Sequence, residues 1–136
     1  MSKKINNILL VDDDTVNNFI VINTLNKLAI TENIDSVLNG LDGIEYLKAK
    51  IETNKELIPS VIFLDINMPI MDGWEFLEEF ELFSEEVKNH CNIYMVSSSV
   101  YEEDILKSKQ YKSVIDFISK PLMSDKIIEI YNEAKK

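Results

Sequence analysis

The chain has one cysteine and one histidine among 136 residues. Cys91 can close no internal disulfide and has no companion thiols at metal-ligand spacing, which excludes a disulfide framework and agrees with a reducing compartment. It reads as a small buried hydrophobe near the start of a strand. The solitary His90 excludes both an internal phosphohistidine relay and a multi-histidine metal centre, and it is assigned no role. Long apolar runs are also missing, so no membrane partner is expected. The opening Met1-Ser2-Lys3-Lys4-Ile5-Asn6-Asn7 carries charge without the apolar stretch and cleavage site of a secretory signal, and cytoplasmic residence is the expectation. Basic residues are the minority, 14 against 24 acidic, giving a formal net charge of −10. A chain of that charge repels the phosphate backbone, so direct nucleic-acid binding is excluded. Much of the excess lies in Glu75, Glu78, Glu79, Glu81, Glu85 and Glu86, which read as the solvated face of a helix and its exit. No linker, repeat or low-complexity tract divides the chain, and its length suits one domain over residues 1–136.

What the chain does contain is a regular alternation. The composition, 46% hydrophobic and 28% charged, is that of a globular domain with a core. Short β-rich apolar runs recur at Ile8 to Val11, Ile34 to Leu38, Val61 to Leu64, Ile93 to Val96 and Val114 to Ile118, with longer helical stretches between them. This pattern predicts five βα units and an α/β fold, a doubly wound parallel sheet of five strands. Near-continuous apolarity in three runs marks interior strands covered on both faces, while the mixed Ile34-Asp35-Ser36-Val37-Leu38 suits an edge. Helices are predicted from just after Asp14 or Thr15, either of which can cap the first N–H groups, to about Leu28, and over Leu41 to Ile51, Gly73 to about Leu82, Tyr101 to Lys109 and Ser124 to Ala134. The first carries the apolar residues Val16, Phe19, Ile20, Ile22, Leu25 and Leu28. Pro59 sets the entry to the third strand, and Asp72 is placed to cap the third helix.

Chemistry-bearing residues collect at the strand ends. Asp12 and Asp13 close the first strand, Asp65 closes the third and Lys120 follows the fifth. In an open α/β sheet, ligands bind beyond the carboxyl ends of the strands at the point where strand order reverses. With order 2-1-3-4-5 that point lies between strands one and three, bringing Asp12 and Asp13 beside Asp65. Three neighbouring acids raise one another's pKa, so a cluster kept ionised at neutral pH implies a bound cation. An all-oxygen set with neither sulfur nor clustered imidazole points to Mg²⁺. Taken alone, paired aspartates after an apolar run also read as a polar strand end with helix capping, and Ser97 as a loop hydroxyl.

The segment Val61-Ile-Phe-Leu-Asp65-Ile-Asn-Met-Pro-Ile-Met-Asp-Gly73 resembles the phosphoacceptor motif of response-regulator receiver domains. The resemblance spans the chain: Leu9-Leu-Val-Asp-Asp-Asp14 is similar to the family's acidic strand end, Met95-Val-Ser-Ser98 to its hydroxyl switch and Phe117-Ile-Ser-Lys-Pro121 to its lysine loop. It implies a flavodoxin-like (βα)5 receiver of a two-component system. Asp65 would take a phosphoryl group from the phosphohistidine of a sensor histidine kinase or phosphotransfer protein. Asp13 would contact Mg²⁺ directly, Asp12 largely through water, and the Asn67 carbonyl would supply a further oxygen beside Asp65. Lys120 would pair with one phosphoryl oxygen and Ser97 with another, with Ser98 leaving room for the group. Ser97 coupled to Phe117 would form the switch, Phe117 being held inward by packing alone because it lacks a tyrosine hydroxyl. The uncharged Asn67 and Ser99 would border the route of the hydrolytic water. The resemblance also implies a cis Lys120–Pro121 bond, against the alternative of a proline that merely starts the loop into the last helix.

On this reading the protein is no turnover enzyme, catalysing only its own phosphorylation and dephosphorylation. It is expected to be a stand-alone receiver, monomeric or dimerising on activation. A downstream protein target would dock on the face of the fourth helix, fifth strand and fifth helix, with Tyr101, Ile105 and Tyr111 as candidate contacts. Two rivals are a degenerate receiver working without phosphorylation and a haloacid-dehalogenase-like phosphatase. In the latter, Asp12-Asp13-Asp14-Thr15-Val16 supplies the D-x-D-x-[TV] pattern with Asp12 as nucleophile; it leaves the Asp65 to Gly73 motif unexplained.

Overall fold

The structure is a computed structural model that describes residues 4–134. Its elements in chain order are β1 (Ile8–Val11), α1 (Thr15–Leu28), β2 (Ile34–Val37), α2 (Gly40–Thr53), a 3-10 turn (Lys55–Leu57), β3 (Val61–Asp65), α3 (Gly73–Phe80), α4 (Glu85–His90), β4 (Asn92–Ser97), α5 (Glu102–Ser108), β5 (Val114–Ser119) and α6 (Ser124–Ala134). All strand pairs are parallel, in the order β2-β1-β3-β4-β5. The doubly wound sheet inferred from the apolar runs is therefore the fold, with the mixed β2 at an edge.

Alternation along the strands divides the core into two layers. Leu9 and Val11, Ile62 and Leu64, and Ile93 and Met95 meet Ile44 and Leu47 of α2, Phe76, Leu77 and Phe80 of α3 and Val87 of α4. Ile8 and Leu10, Val61 and Phe63, and Tyr94 and Val96 face the other way, onto Val21 and Leu25 of α1 and Ile127 and Ile130 of α6. Period-two side chains on strands buried on both faces leave no room for polar residues until the strands end, which is where the acids begin. α5 joins the α3 side, where the Lys107 ammonium lies 4.5 Å from the Trp74 ring centroid.

One expectation is corrected. Among the described residues there are six α-helices, not five, because the third predicted helix ends at Phe80 and a separate α4 covers Glu85–His90. Its start is local: the Ser84 hydroxyl accepts from the Val87 N–H, and Lys88 bridges Glu81 and Glu85. The acidic run is thus shared between two helices. Asp14 caps α1 by accepting from the Asn17 N–H, and Asp72 and Glu75 form a reciprocal capping box on α3. Cys91 is buried ahead of β4, where burial pushes its thiol up to about 12 and leaves it inert. No helix of the described residues is long and apolar enough to cross a membrane.

Candidate functional site

Register brings the acids together. Val11 of β1 pairs with Leu64 of β3, so Asp12 and Asp65, each the next residue, lie side by side at the carboxyl end of the sheet. Asp65 pairs in turn with Val96 of β4, which places Ser97 one step beyond, opposite Ser119 of β5 and next to Lys120. Asp12 and Asp65 are buried, whereas Asp13 is exposed. One carboxylate oxygen from each of the three lies within 4.8 Å of the others. Lys120 closes the cluster with its Nζ 2.8 Å from Asp12 Oδ2 and 3.9 Å from Asp65 Oδ1.

This crowding sets the electrostatics. Burial first, and then the Asp12 charge, raise Asp65 from its ordinary 3.8 to about 6, against the opposing pull of Lys120 and of the Ile66 N–H that Asp65 Oδ1 accepts at 2.9 Å. Burial pushes the Lys120 ammonium down, but its hydrogen bond to Asp12 and the charges of Asp12, Asp65 and Asp14 outweigh that and hold its pKa above the usual lysine value. Three hard oxygen donors in one cluster, with an excess of negative charge over the single lysine, match a small divalent cation of the magnesium type.

The surrounding loops serve the same geometry. Gly73 starts α3 directly beneath the cluster, where a Cβ would lie 2.5 Å from the Asp65 carbonyl oxygen, so only glycine lets α3 approach this closely. Its N–H donates to the Ile66 carbonyl at 2.8 Å. In the same loop, Met71 donates to the Pro69 carbonyl around Ile70, which is held at φ 69 and 75% exposed. A β-branched residue with positive φ is strained, and here the strain points an apolar side chain at solvent. Lys120–Pro121 is cis.

The remaining candidates differ in burial. Asn67 follows Asp65 by two residues and is exposed. The buried Ser97 hydroxyl donates to the Ser99 carbonyl at 2.9 Å and accepts from the Ser99 N–H, a closed local turn. Phe117 is half-buried against the α3-side core. Of the proposed output contacts, Tyr101 is exposed, Ile105 is half-buried, and Tyr111 is half-buried beside Trp74 at 6.4 Å between ring centroids.

Two features of α1 escaped the sequence reading. Asn17 donates its Nδ2 to Asp12 Oδ2 at 3.2 Å, and Asn18 donates its Nδ2 to the Asp12 carbonyl at 2.9 Å. Consecutive asparagines in a first helical turn look like capping or turn residues until the helix is docked on β1. Of the apolar residues read into this helix, Val16, Phe19 and Ile20 are exposed, and it is Val21 and Leu25 that are buried. Positions i, i+3 and i+4 share one helix face, so these three form an apolar patch turned to solvent.

Comparison with known proteins gives the same reading. The sequence profile of the response regulator receiver domain matches residues 8–132. A crystal structure of a two component response regulator from Cytophaga hutchinsonii superposes with a TM-score of 0.89 at 32% identity, covering 97% of this chain and 98% of that one. The chemotaxis protein CheY of Listeria monocytogenes is 27% identical over 128 residues, 94% of this chain and 98% of its own length. The sensor histidine kinase CheAY of Helicobacter pylori is 30% identical over 129 residues, 95% of this chain but 15% of the kinase. Nothing in the comparisons or the site supports the phosphatase alternative. A parallel sheet in the order 2-1-3-4-5, three aspartates and a lysine gathered at its switch point, and a family match across nearly the whole chain lead to one conclusion: the chain belongs to the response regulator receiver domain family of two-component signalling.

Proposed function

We propose that residues 1–136 act as one cytoplasmic receiver unit whose phosphoacceptor is Asp65, loaded from the phosphohistidine of a sensor histidine kinase or phosphotransfer protein. The observation that carries this is the buried Asp65 carboxylate with oxygens of Asp12 and Asp13 within 4.8 Å and the Lys120 ammonium 3.9 Å away. A carboxylate is a modest nucleophile, so positioning and charge neutralisation must supply the rate. Asp12, Asp13 and Asp65, with the Asn67 carbonyl, would hold Mg²⁺, which when bound neutralises charge on the phosphoryl oxygens.

An Asp65 oxygen attacks phosphorus in line with the donor nitrogen. The P–N bond breaks with its electrons staying on the imidazole, which then takes up a proton, and a P–O bond to Asp65 forms an acyl phosphate. Lys120 turns from Asp12 to a phosphoryl oxygen. The Ser97 hydroxyl exchanges the Ser99 carbonyl for another phosphoryl oxygen, drawing its loop inward and letting Phe117 follow. This carries the signal to the face of α5, β5 and α6, where Tyr101, Leu106 and Ile115 are exposed for a downstream protein, in a monomer or an activation-dependent dimer. The chemistry ends with the chain's own aspartate: Asn67 and Ser99, both uncharged, flank the returning water.

The exposed Val16, Phe19 and Ile20 follow directly on the acid cluster in α1, which suits them to seat the phosphodonor domain. Phe19→Ser is expected to slow transfer from the cognate phosphohistidine protein at least about tenfold while leaving reaction with acetyl phosphate unchanged, since 66% exposure means little core packing is lost. Equal loss with both donors would remove the docking role. The test of the main reading is intact mass after incubation with Mg²⁺ and acetyl phosphate. One hydroxylamine-labile phosphoryl group, lost with a chelator, is expected; its absence with every donor would favour a receiver that works without phosphorylation.

A further inference from the structure

Asn18 is 4% exposed, in the first turn of α1, and is one of few polar side chains in the interior. Its orientation is decided by chemistry. The Asp12 carbonyl can only accept, so the amide nitrogen must face it, and the 2.9 Å bond fixes Nδ2 there. That leaves Oδ1 on the other side. Among the described residues it is the one fully buried side-chain oxygen or nitrogen with no hydrogen-bond partner in the protein. Native interiors rarely leave such an acceptor unpaired, because desolvating it costs about 1–3 kcal/mol.

Asn18 lines a cavity of about 10 Å³ beside the acid cluster, bounded by Leu10, Val21, Phe63, Val96 and Leu122 on its apolar sides and by Asp12, Asn17 and Asp65 on its polar side. A buried water needs roughly 10–15 Å³ and two to four polar partners. A space of that size suits one water. The polar groups also match one: a water has two protons to give, and both Asn18 Oδ1 and the carboxylates accept. A cation would meet too few oxygens among the apolar walls, and an anion would be repelled by the aspartates.

We propose that this cavity is a single-water site and that Asn18 is a positioning residue, which with that water orients Asp12 and Asp65 for metal binding. The amide grips the Asp12 backbone through Nδ2, while the water, held on Oδ1, donates its other proton to Asp65. Asn17 completes the support by donating to Asp12 Oδ2 from the same helical turn. Rotation of either carboxylate away from the ion would then break a bond inside the protein. Partners behind metal ligands typically account for 10–100-fold in affinity. The inference rests on the proposed Mg²⁺ site and adds to it how α1 holds that site in shape.

The experiment compares Asn18→Leu, of the same branching and heavy-atom count but larger and without polar atoms, with Asn18→Ser, whose hydroxyl and a second water can span the same gap. Mg²⁺ affinity of the unphosphorylated proteins is measured by calorimetry, and thermal midpoints are recorded in chelator. Asn18→Leu is expected to weaken Mg²⁺ binding 10–100-fold, beside a lower midpoint in chelator from the orphaned Asp12 carbonyl, and Asn18→Ser to recover most of the affinity. A merely structural asparagine predicts the lower midpoint alone, with affinity within twofold of the parent, and that result overturns the proposal. Should Asn18→Leu not fold, a crystal structure of the parent at about 1.5 Å decides: density for a water in hydrogen-bond range of Asn18 Oδ1 together with weakened binding by Asn17→Ala supports the site, and no such water removes it. If the parent itself binds no Mg²⁺, the metal reading of the cluster fails first and the inference falls with it, an outcome distinct from a parent that binds and variants that match it.

Discussion

Asp65→Asn is expected to abolish phosphorylation by acetyl phosphate and, in chelator at pH 8, to make the protein more stable than the parent. The first effect follows from removing the carboxylate that forms the P–O bond. The second follows from the cost of keeping that carboxylate ionised where it is. Asp65 is raised from 3.8 to about 6, chiefly by burial and then by Asp12. The sign is that of a group which binds its proton more tightly in the folded protein. The resulting stabilisation is fully present below pH 3.8 and is lost as pH rises through about 6. Above that, the ionised side chain costs the fold up to about 3 kcal/mol, the equivalent of the shift. Asparagine has nearly the same shape and no charge, so the variant escapes this cost and its stability should vary less between pH 4 and pH 7 than the parent's. Mg²⁺ should raise the parent's midpoint and leave the variant's nearly unmoved. Chemical denaturation of both proteins at pH 5 and pH 8 provides the check. A variant less stable than the parent at pH 8 would show that Asp65 is a structural carboxylate, and one that still gains a phosphoryl group would place the nucleophile elsewhere.

Asp13→Ala should lower the rate of phosphorylation by at least about a hundredfold and abolish its dependence on Mg²⁺, with the fold intact. The magnitude is that of removing one preorganised electrostatic partner from a phosphoryl-transfer site, where positioning and neutralisation carry nearly all of the catalysis. Asp13 is the discriminating position among the three acids because it is exposed, while Asp12 is buried and tied to Lys120, Asn17 and the Asp14 N–H. Replacing Asp12 would disturb that whole network. Replacing Asp13 removes a ligand oxygen and one negative charge and little else, so unchanged unfolding in chelator should accompany the lost activity. Phosphorylation of Asp13→Ala at the parental rate, or an Mg²⁺ affinity equal to the parent's, would show that the ion is held without it.

The strands, their parallel arrangement and the acid cluster were legible because each rests on a local rule. Runs such as Val61-Ile-Phe-Leu are apolar on both faces only if both are covered, and Asp65 must then lie where cover ends. The capping roles of Asp14 and Asp72 lie within three residues of the N–H groups they accept from, so spacing reveals them. α4 was missed because six residues are too short to show a period, although Ser84 ahead of two glutamates is a start signal. The switch point needed only the strand order and Asp12, Asp13 and Asp65 as strand-end residues. What the chain order could not contain is which face of α1 would be covered. Its apolar residues lie on more than one side, and docking against β1 and β3 buries Val21 and Leu25 while turning Val16, Phe19 and Ile20 to solvent. The same docking sets Asn17 and Asn18 against Asp12, and brings Lys120, which is 108 positions away in the chain, to 2.8 Å from Asp12 Oδ2. Composition and periodicity thus determined the elements and the chemistry at their ends, since both depend on neighbours in sequence. The covered face of α1, the grip of Asn17 and Asn18 on Asp12 and the Lys120–Asp12 pair were decided by tertiary structure alone, because burial and contact depend on separations through space that a linear pattern does not encode.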